Sequence, residues 1–151
     1  MLLDCRLVPQ TIIKPKSFVG LMSLYESNYL RLLRLIPELD RLDGCYRSRV
    51  AGDCDLCVEI IERCRYTVTL SLTYFFEDEN GRIADPDVTV RAYLDGQLAE
   101  SMNLSGQHRH AELRRLAREH RLELNERWQR NVLLNKWLEY LTDQGHLILE
   151  R

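Results

Sequence analysis

Ten residues, YTVTLSLTYF from Tyr66 to Phe75, constrain the fold more than any other part of the chain. Tyr66, Val68, Leu70, Leu72 and Tyr74 alternate with Thr67, Thr69, Ser71 and Thr73. A helix would scatter that pattern around its circumference, whereas a strand sends one set to each side of a sheet. The stretch therefore reads as a half-buried antiparallel strand with a threonine–serine outer face. Strand-like patterning extends on both sides of it, and turn dipeptides at Asn80-Gly81 and Asp95-Gly96 divide the run. Glycine accepts positive φ in such turns. Five strands are expected, roughly 45–51, 55–62, 66–76, 87–94 and 97–104. A two-residue turn at Asp95-Gly96 would set Tyr93 opposite Leu98 and Arg91 opposite Glu100 as a cross-strand ion pair.

The flanks change period. Phe18, Leu21, Met22, Tyr25, Tyr29, Leu32, Leu33 and Ile36 recur at helical spacing, with Leu24 and Leu30 at the margins and Ser23, Glu26, Ser27, Arg31 and Arg34 on a solvated side. Ser17 suits the start of this helix and Pro37 its end. Two further helices are expected near the C-terminus. One uses Leu113, Leu116, Ala117 and His120. The other uses Leu133, Leu134, Trp137, Leu138 and Leu141, with Asn125 as its cap and Gly145 closing it in the left-handed conformation. The expected fold is α+β: an N-terminal helix, a five-stranded antiparallel meander, and two C-terminal helices packed on one sheet face.

A chain of 151 residues suits a single such domain, here expected over 17–151 behind a flexible segment 1–16. An apolar fraction of 45% and a charged fraction of 29% are those of an ordinary globular protein, and a net charge of −2 gives no overall attraction to nucleic acid. No signal peptide or membrane span is evident, since Asp4 and Pro9 interrupt the first apolar run. Five cysteines without scaffold-like spacing point to a reducing compartment, hence the cytoplasm.

Cys54 and Cys57 form a Cys-x-x-Cys. Zinc needs its sulfurs gathered on one side, which a turn or helix start achieves and a strand does not. Buried or half-buried free thiols are expected unless a turn at Gly52-Asp53 reaches Cys54. Cys45, Cys64 and the His108–His110 pair supply no second ligand set, so neither a metal nor another cofactor is expected. Asp85 and Asp87 lack the spacing of a calcium loop. His120 reads as a core histidine, and His146 as a cation beside a helix C-terminus. A nucleophile elbow, a P-loop, a dinucleotide fingerprint and a His-Glu-x-x-His are all absent, and no catalytic residue is assigned.

Charge placement supplies the candidate surfaces. Eighteen arginines stand against three lysines, and seven of the arginines fall between His108 and Arg130. Arg114, Arg118, Arg121, Arg127 and Arg130 would suit phosphate or RNA. Pairs such as Arg115 with Glu119, Glu123 with Arg127 and Glu126 with Arg130 suit a solvated, salt-bridged helix equally well. Residues 77–100 carry the opposite bias, and Arg91, Tyr93 and Glu100 lie within that acidic stretch. Glu126, Gln129 and Arg130 share the first turns of the last helix, with Asn131 nearer its packing side. They suit either a network fixing the helix to the sheet or an anion-binding mouth.

Two segments, LMSLYESNYLRLLRLIPEL (Leu21 to Leu39) and NERWQRNVLLNKWLEYLTDQGH (Asn125 to His146), joined by ERCRYTVTL and VTVRAYLDGQLAE, resemble the small bacterial YqiB-like family of unknown function. Its most specific match is Glu126, Arg127, Gln129, Asn131, Leu134, Trp137 and Leu138. The charged run from His108 to Leu124 and the cysteines depart from its pattern. The resemblance implies no established activity, only a tendency to be encoded near a Nudix ADP-ribose hydrolase and a cyclic-AMP phosphodiesterase. The expectation is a non-enzymatic cytoplasmic adaptor that binds a protein partner or a second copy of itself, without membrane or metal. The alternative is a nucleotide or RNA phosphate binder using residues 109–130.

Overall fold

The computed structural model describes residues 18–79, 81–105, 115 and 126–150. Helix α1 (Phe18–Leu35) leads into strands β1 (Cys45–Ser48), β2 (Asp55–Arg63), β3 (Thr67–Asp78), β4 (Gly81–Tyr93) and β5 (Leu98–Ser105), and helix α2 (Glu126–Asp143) follows. The strands form one antiparallel sheet in chain order, so β1 and β5 are its two edges. The expected helix around Leu113–His120 and the caps at Ser17 and Asn125 lie outside the described residues.

From Val68 onward the alternation does what its period demands, whereas Tyr66, expected on the core side, precedes β3 and is 50% exposed. Val68, Leu70, Leu72 and Tyr74 are buried with Leu56 and Val58 of β2, Val88, Val90 and Ala92 of β4, and Ala99 of β5. Leu32, Leu35 and Ile36 from the first helix region and Leu134, Trp137, Leu138 and Leu141 from α2 complete this core, so both helices cover one sheet face. At roughly 25 cal/mol per Å² of apolar surface removed from water, burial of this kind is the main force holding the layers together. Arg31 of α1 also bridges Glu139 of α2 at 2.9 Å.

Besides β1 ending at Ser48 instead of near 51, three features depart from expectation. First, β4 starts at Gly81 and passes through Pro86, whose bond to Asp85 is cis. The register shifts between Thr73↔Asp87 and Phe75↔Ala84, so this proline sits in an irregularity where the ladder requires no donor from it. Second, the β4–β5 connection is longer than two residues. Gln97 N–H donates to Tyr93 O at 2.8 Å, and the positive φ falls on Gln97 (58°) instead of Gly96. The expected register survives, with Tyr93 opposite Leu98 and Arg91 opposite Glu100. The expected Arg91–Glu100 ion pair gives way to other bonds: Glu100 accepts the Tyr93 hydroxyl at 2.9 Å, and Arg91 Nε donates to Thr69 Oγ1 at 3.4 Å.

Third, the packed face of α1 is rotated. Ser27 and Asn28 are buried, whereas Phe18 is 74% exposed. The reason is a polar seam against α2 and β5, which apolar periodicity does not register.

Helix α2 ends as Gly145 predicts. Its φ is 98°, His146 N–H donates to Leu141 O, and Gly145 N–H donates to Thr142 O, both at 3.0 Å. This left-handed stop turns the chain back so that His146 enters the interior.

Candidate functional site

The two edges of the sheet are finished differently, and the candidate surfaces follow from that. The hydrogen bond from Leu94 N–H to Tyr66 O fixes the parity of β4, so in β5 the main-chain groups of Ala99 and Ser101 point outward. Two asparagines meet them. Asn131 Oδ1 of α2 accepts Ser101 N–H at 2.8 Å, and Asn28 Nδ2 of α1 donates to Ala99 O at 3.3 Å. Asn28 Nδ2 also donates to Asn131 Oδ1 at 3.2 Å, and Asn131 Nδ2 to Arg127 O at 2.8 Å. The pair supplies a donor and an acceptor as a sixth strand would, and Asn135 with Ser27 extends the seam at 2.9 Å. Asn131, a candidate ligand from sequence, is fully buried in this closure.

At the outer end of the seam the charged candidates converge on Tyr25. Burial and the Glu100 carboxylate push its phenol up to about 12, while Arg127 and Arg130 pull the other way. Tyr93 is raised too, by burial first and then by its bond to Glu100. Glu100, Arg127 and Arg130 thus all act on Tyr25, and Tyr93 bonds to Glu100, with Arg91 across the ladder from Glu100. Glu126 is exposed and Gln129 half-buried on the first turn of α2. Arg114, Arg118 and Arg121 lie outside the described residues.

The opposite edge is open. Ile60 N–H donates to Gly44 O at 2.8 Å, so Gly44, Tyr46 and Ser48 face β2 with their main chain, and Cys45 and Arg47 turn theirs outward. Beside them runs a groove of about 790 Å³ lined by Cys45, Tyr46, Arg47, Arg49, Ile148 and Glu150, among others. On one rim three guanidiniums gather around a single carboxylate: Arg47, Arg49 and Arg82 lie 3.9, 3.4 and 3.6 Å from Asp55. Arg82 is also stacked on Phe75, 4.3 Å from the ring centroid. Nothing in the helical or alternating patterns singles out this cluster, because Arg82 reaches it from a different hairpin.

A buried polar relay fixes the far wall of the groove. His146 Nδ1 lies 2.9 Å from Ser48 Oγ, and Nε2 lies 2.9 Å from Asp53 Oδ2. Tyr74 donates to the same carboxylate at 2.7 Å, and Leu147 N–H donates to Ser48 Oγ at 3.2 Å. Burial alone would raise the Asp53 carboxyl, but the bonds from Tyr74, the Cys54 amide and His146 overcome it and hold the group below its usual range. The residue types are those of a hydrolytic triad. Ser48, however, is 7% exposed and its oxygen is engaged from two sides, so the relay binds the C-terminal segment to the sheet instead of presenting a nucleophile. His146 therefore has a structural role, as a buried member of this network just past the end of α2.

The Cys-x-x-Cys divides between two environments. Cys57 sits between buried Leu56 and Val58 and takes the other sheet face, opposite Arg47 and Thr73. Cys54 precedes β2 and packs against the core, where burial and then the charges of Asp53 and Asp55 raise its thiol. Among the described residues no group of three or more His, Cys, Asp or Glu side chains could hold a metal, and no helix is long and apolar enough to cross a membrane.

No curated protein and no solved structure matches the chain. A family model does match residues 31–147, from the last turn of α1 through the relay histidine and so including every strand. The chain belongs to DUF1249, a family of proteins of unknown function.

Proposed function

We propose that the chain is a non-enzymatic binding module that receives an extended segment of a protein partner along the outer edge of β1. The carrying observation is that β1 turns unpaired main-chain groups toward a groove whose far wall is anchored. An exposed strand edge is a template for strand addition, in which main-chain bonds supply affinity and side-chain pockets supply selectivity. The opposite edge offers no such template, since Asn28 and Asn131 occupy it. The test is a pull-down from native lysate with the full chain and a Cys45→Pro variant, which loses one outward donor while keeping the inner ladder. A protein retained by the wild type and lost by the variant supports the reading. Repeated absence of any retained protein, together with monomeric light scattering, counts against both a partner and self-association.

A second reading draws on the surroundings of Tyr25, where Arg127 and Arg130 act on one phenol. Guanidiniums placed there would serve a nucleotide or RNA phosphate, and the finer YqiB-like resemblance adds its association with nucleotide metabolism. Binding of this kind weakens as salt rises and is lost on Arg127→Glu with Arg130→Glu. Titrations insensitive to salt, or showing no binding at low salt, exclude it.

A further inference from the structure

The outward parity of β1 dictates what sort of segment can lie against it. A strand added to this edge would present alternate side chains to the two faces of the sheet. Those opposite Cys45 and Arg47 fall on the outer face, where Arg47, Arg49 and Arg82 place three positive charges around Asp55. Those opposite Tyr46 and Ser48 fall on the helix-covered side, toward Leu149, 46% exposed, and the buried Ile148 beside it. That wall is held in place by Ile148 N–H donating to Leu35 O at 2.9 Å and by the bond from Leu147 to Ser48.

We propose that the occupant of this groove is an extended segment of a partner protein in which acidic residues alternate with apolar ones, the acids meeting the arginine rim and the apolar side chains the Ile148–Leu149 wall. The proposal rests on the strand-docking reading and names the partner's chemistry. Charge complementarity carries it: the rim holds two more guanidiniums than Asp55 offsets, and among the described residues the further carboxylates are Glu150, which lines the groove, and Glu59, across the ladder from Cys45 at the end away from Arg49. The chain's own remaining segments do not fit. Residues 1–17 carry Arg6, Lys14 and Lys16 against Asp4, and residues 106–125 are rich in arginine, so both repeat the sign of the rim. A second copy paired through β1 about a two-fold axis would set the same arginines face to face, and like charges directly opposite are destabilising. Arg82 is pre-positioned by its stack on Phe75, which lowers the ordering cost of recognising a carboxylate.

The test uses the full chain and four octapeptides: alternating Glu-Val, alternating Lys-Val, alternating Thr-Val, and a block permutation of the glutamates and valines. Binding is read by anisotropy and by amide hydrogen exchange at Cys45 and Arg47. The alternating Glu-Val peptide is expected to bind and slow both amides, to lose about tenfold or more in affinity with Arg47→Glu and Arg49→Glu together, and to weaken with salt. The Lys-Val peptide is expected not to bind. Equal binding by the Thr-Val peptide with the same amide protection overturns the acidic chemistry and leaves strand docking standing. Equal binding by the permuted peptide overturns the alternation. Protection by none of the four at low salt overturns this inference; the lysate experiment with Cys45→Pro then decides the strand-docking reading separately.

Discussion

The two borders of the sheet show opposite solutions to one problem. A terminal strand leaves a row of main-chain donors and acceptors without a neighbour. On β5 the row is covered by two helices, and side-chain amides from each replace the missing strand at Ala99 and Ser101. On β1 the corresponding groups of Cys45 and Arg47 face a groove, and the nearby polar chemistry is spent on holding the C-terminal segment opposite them. The difference teaches that burial of a polar side chain is not by itself a sign of a ligand site. Asn131 is buried because an edge must be closed, whereas the exposed arginines around Asp55 are what a partner could reach.

The sharpest way to break the contrast is to unseal β5. Asn131→Ala strands Ser101 N–H and deprives Asn28 of an acceptor, and loss of such buried partners costs about 2–4 kcal/mol. Urea denaturation of Asn28→Ala, Asn131→Ala and the double variant checks this. The double variant is expected to cost less than the two singles combined, because they share a bond. Next in size is the relay behind β1. His146→Ala should destabilise by about 1–3 kcal/mol and speed hydrogen exchange at Leu147 and Ile148, with little change at Ser101.

The same relay gives a pH signature. The Asp53 carboxyl is depressed in the folded protein, so its contribution is fully present above the ordinary aspartate range and is lost as pH falls through the folded value. The stability difference between wild type and Asp53→Asn should therefore be constant near neutrality and shrink below about pH 4, measured by denaturant titration at each pH. Tyr25 has the opposite sign. Its phenol is raised to about 12, so its contribution holds below the usual tyrosine range and fades as pH climbs from about 10 toward that value. Tyr25→Phe should reduce that alkaline dependence and leave the part carried by other raised phenols such as Tyr93. The smallest effect belongs to the open edge. Cys45→Pro should change stability by less than about 1 kcal/mol, since the donor it removes points away from the ladder, whereas Ser101→Pro should cost several times more.

Much of the fold was legible in particular residues. Period two in Tyr66–Phe75 specified the central strand, Asp95-Gly96 located the last hairpin to within a residue, and Gly145 marked the end of α2. Pro86 hid nearly half of β4, the residues from Gly81 to Pro86, because a proline argues against a strand unless an irregularity accommodates it. The candidate site was legible only in part. Glu100, Arg127 and Arg130 act together on Tyr25 and Tyr93 bonds to Glu100, while Arg91 turns to Thr69. The Arg47–Arg49–Arg82 cluster and the Ser48–Asp53–Tyr74–His146 relay were missed because their members come from separated segments, and only the pairing of β1 with β2 and the turn after α2 bring them together. Ser27 was placed on the wrong side and Asn28 was passed over for a related reason: hydrophobic spacing does not register an amide seam.

The reversal at Gly145 has a further consequence. A Cβ there would meet no atom within 4 Å, so what the glycine supplies is direction and not room. Because each added residue advances a helix by about 100° and 1.5 Å, lengthening α2 by one would swing the imidazole away from its two anchors. The number of residues between Trp137 and His146 acts as a gauge that sets where the tail is stapled, and with it the width of the cleft beside β1.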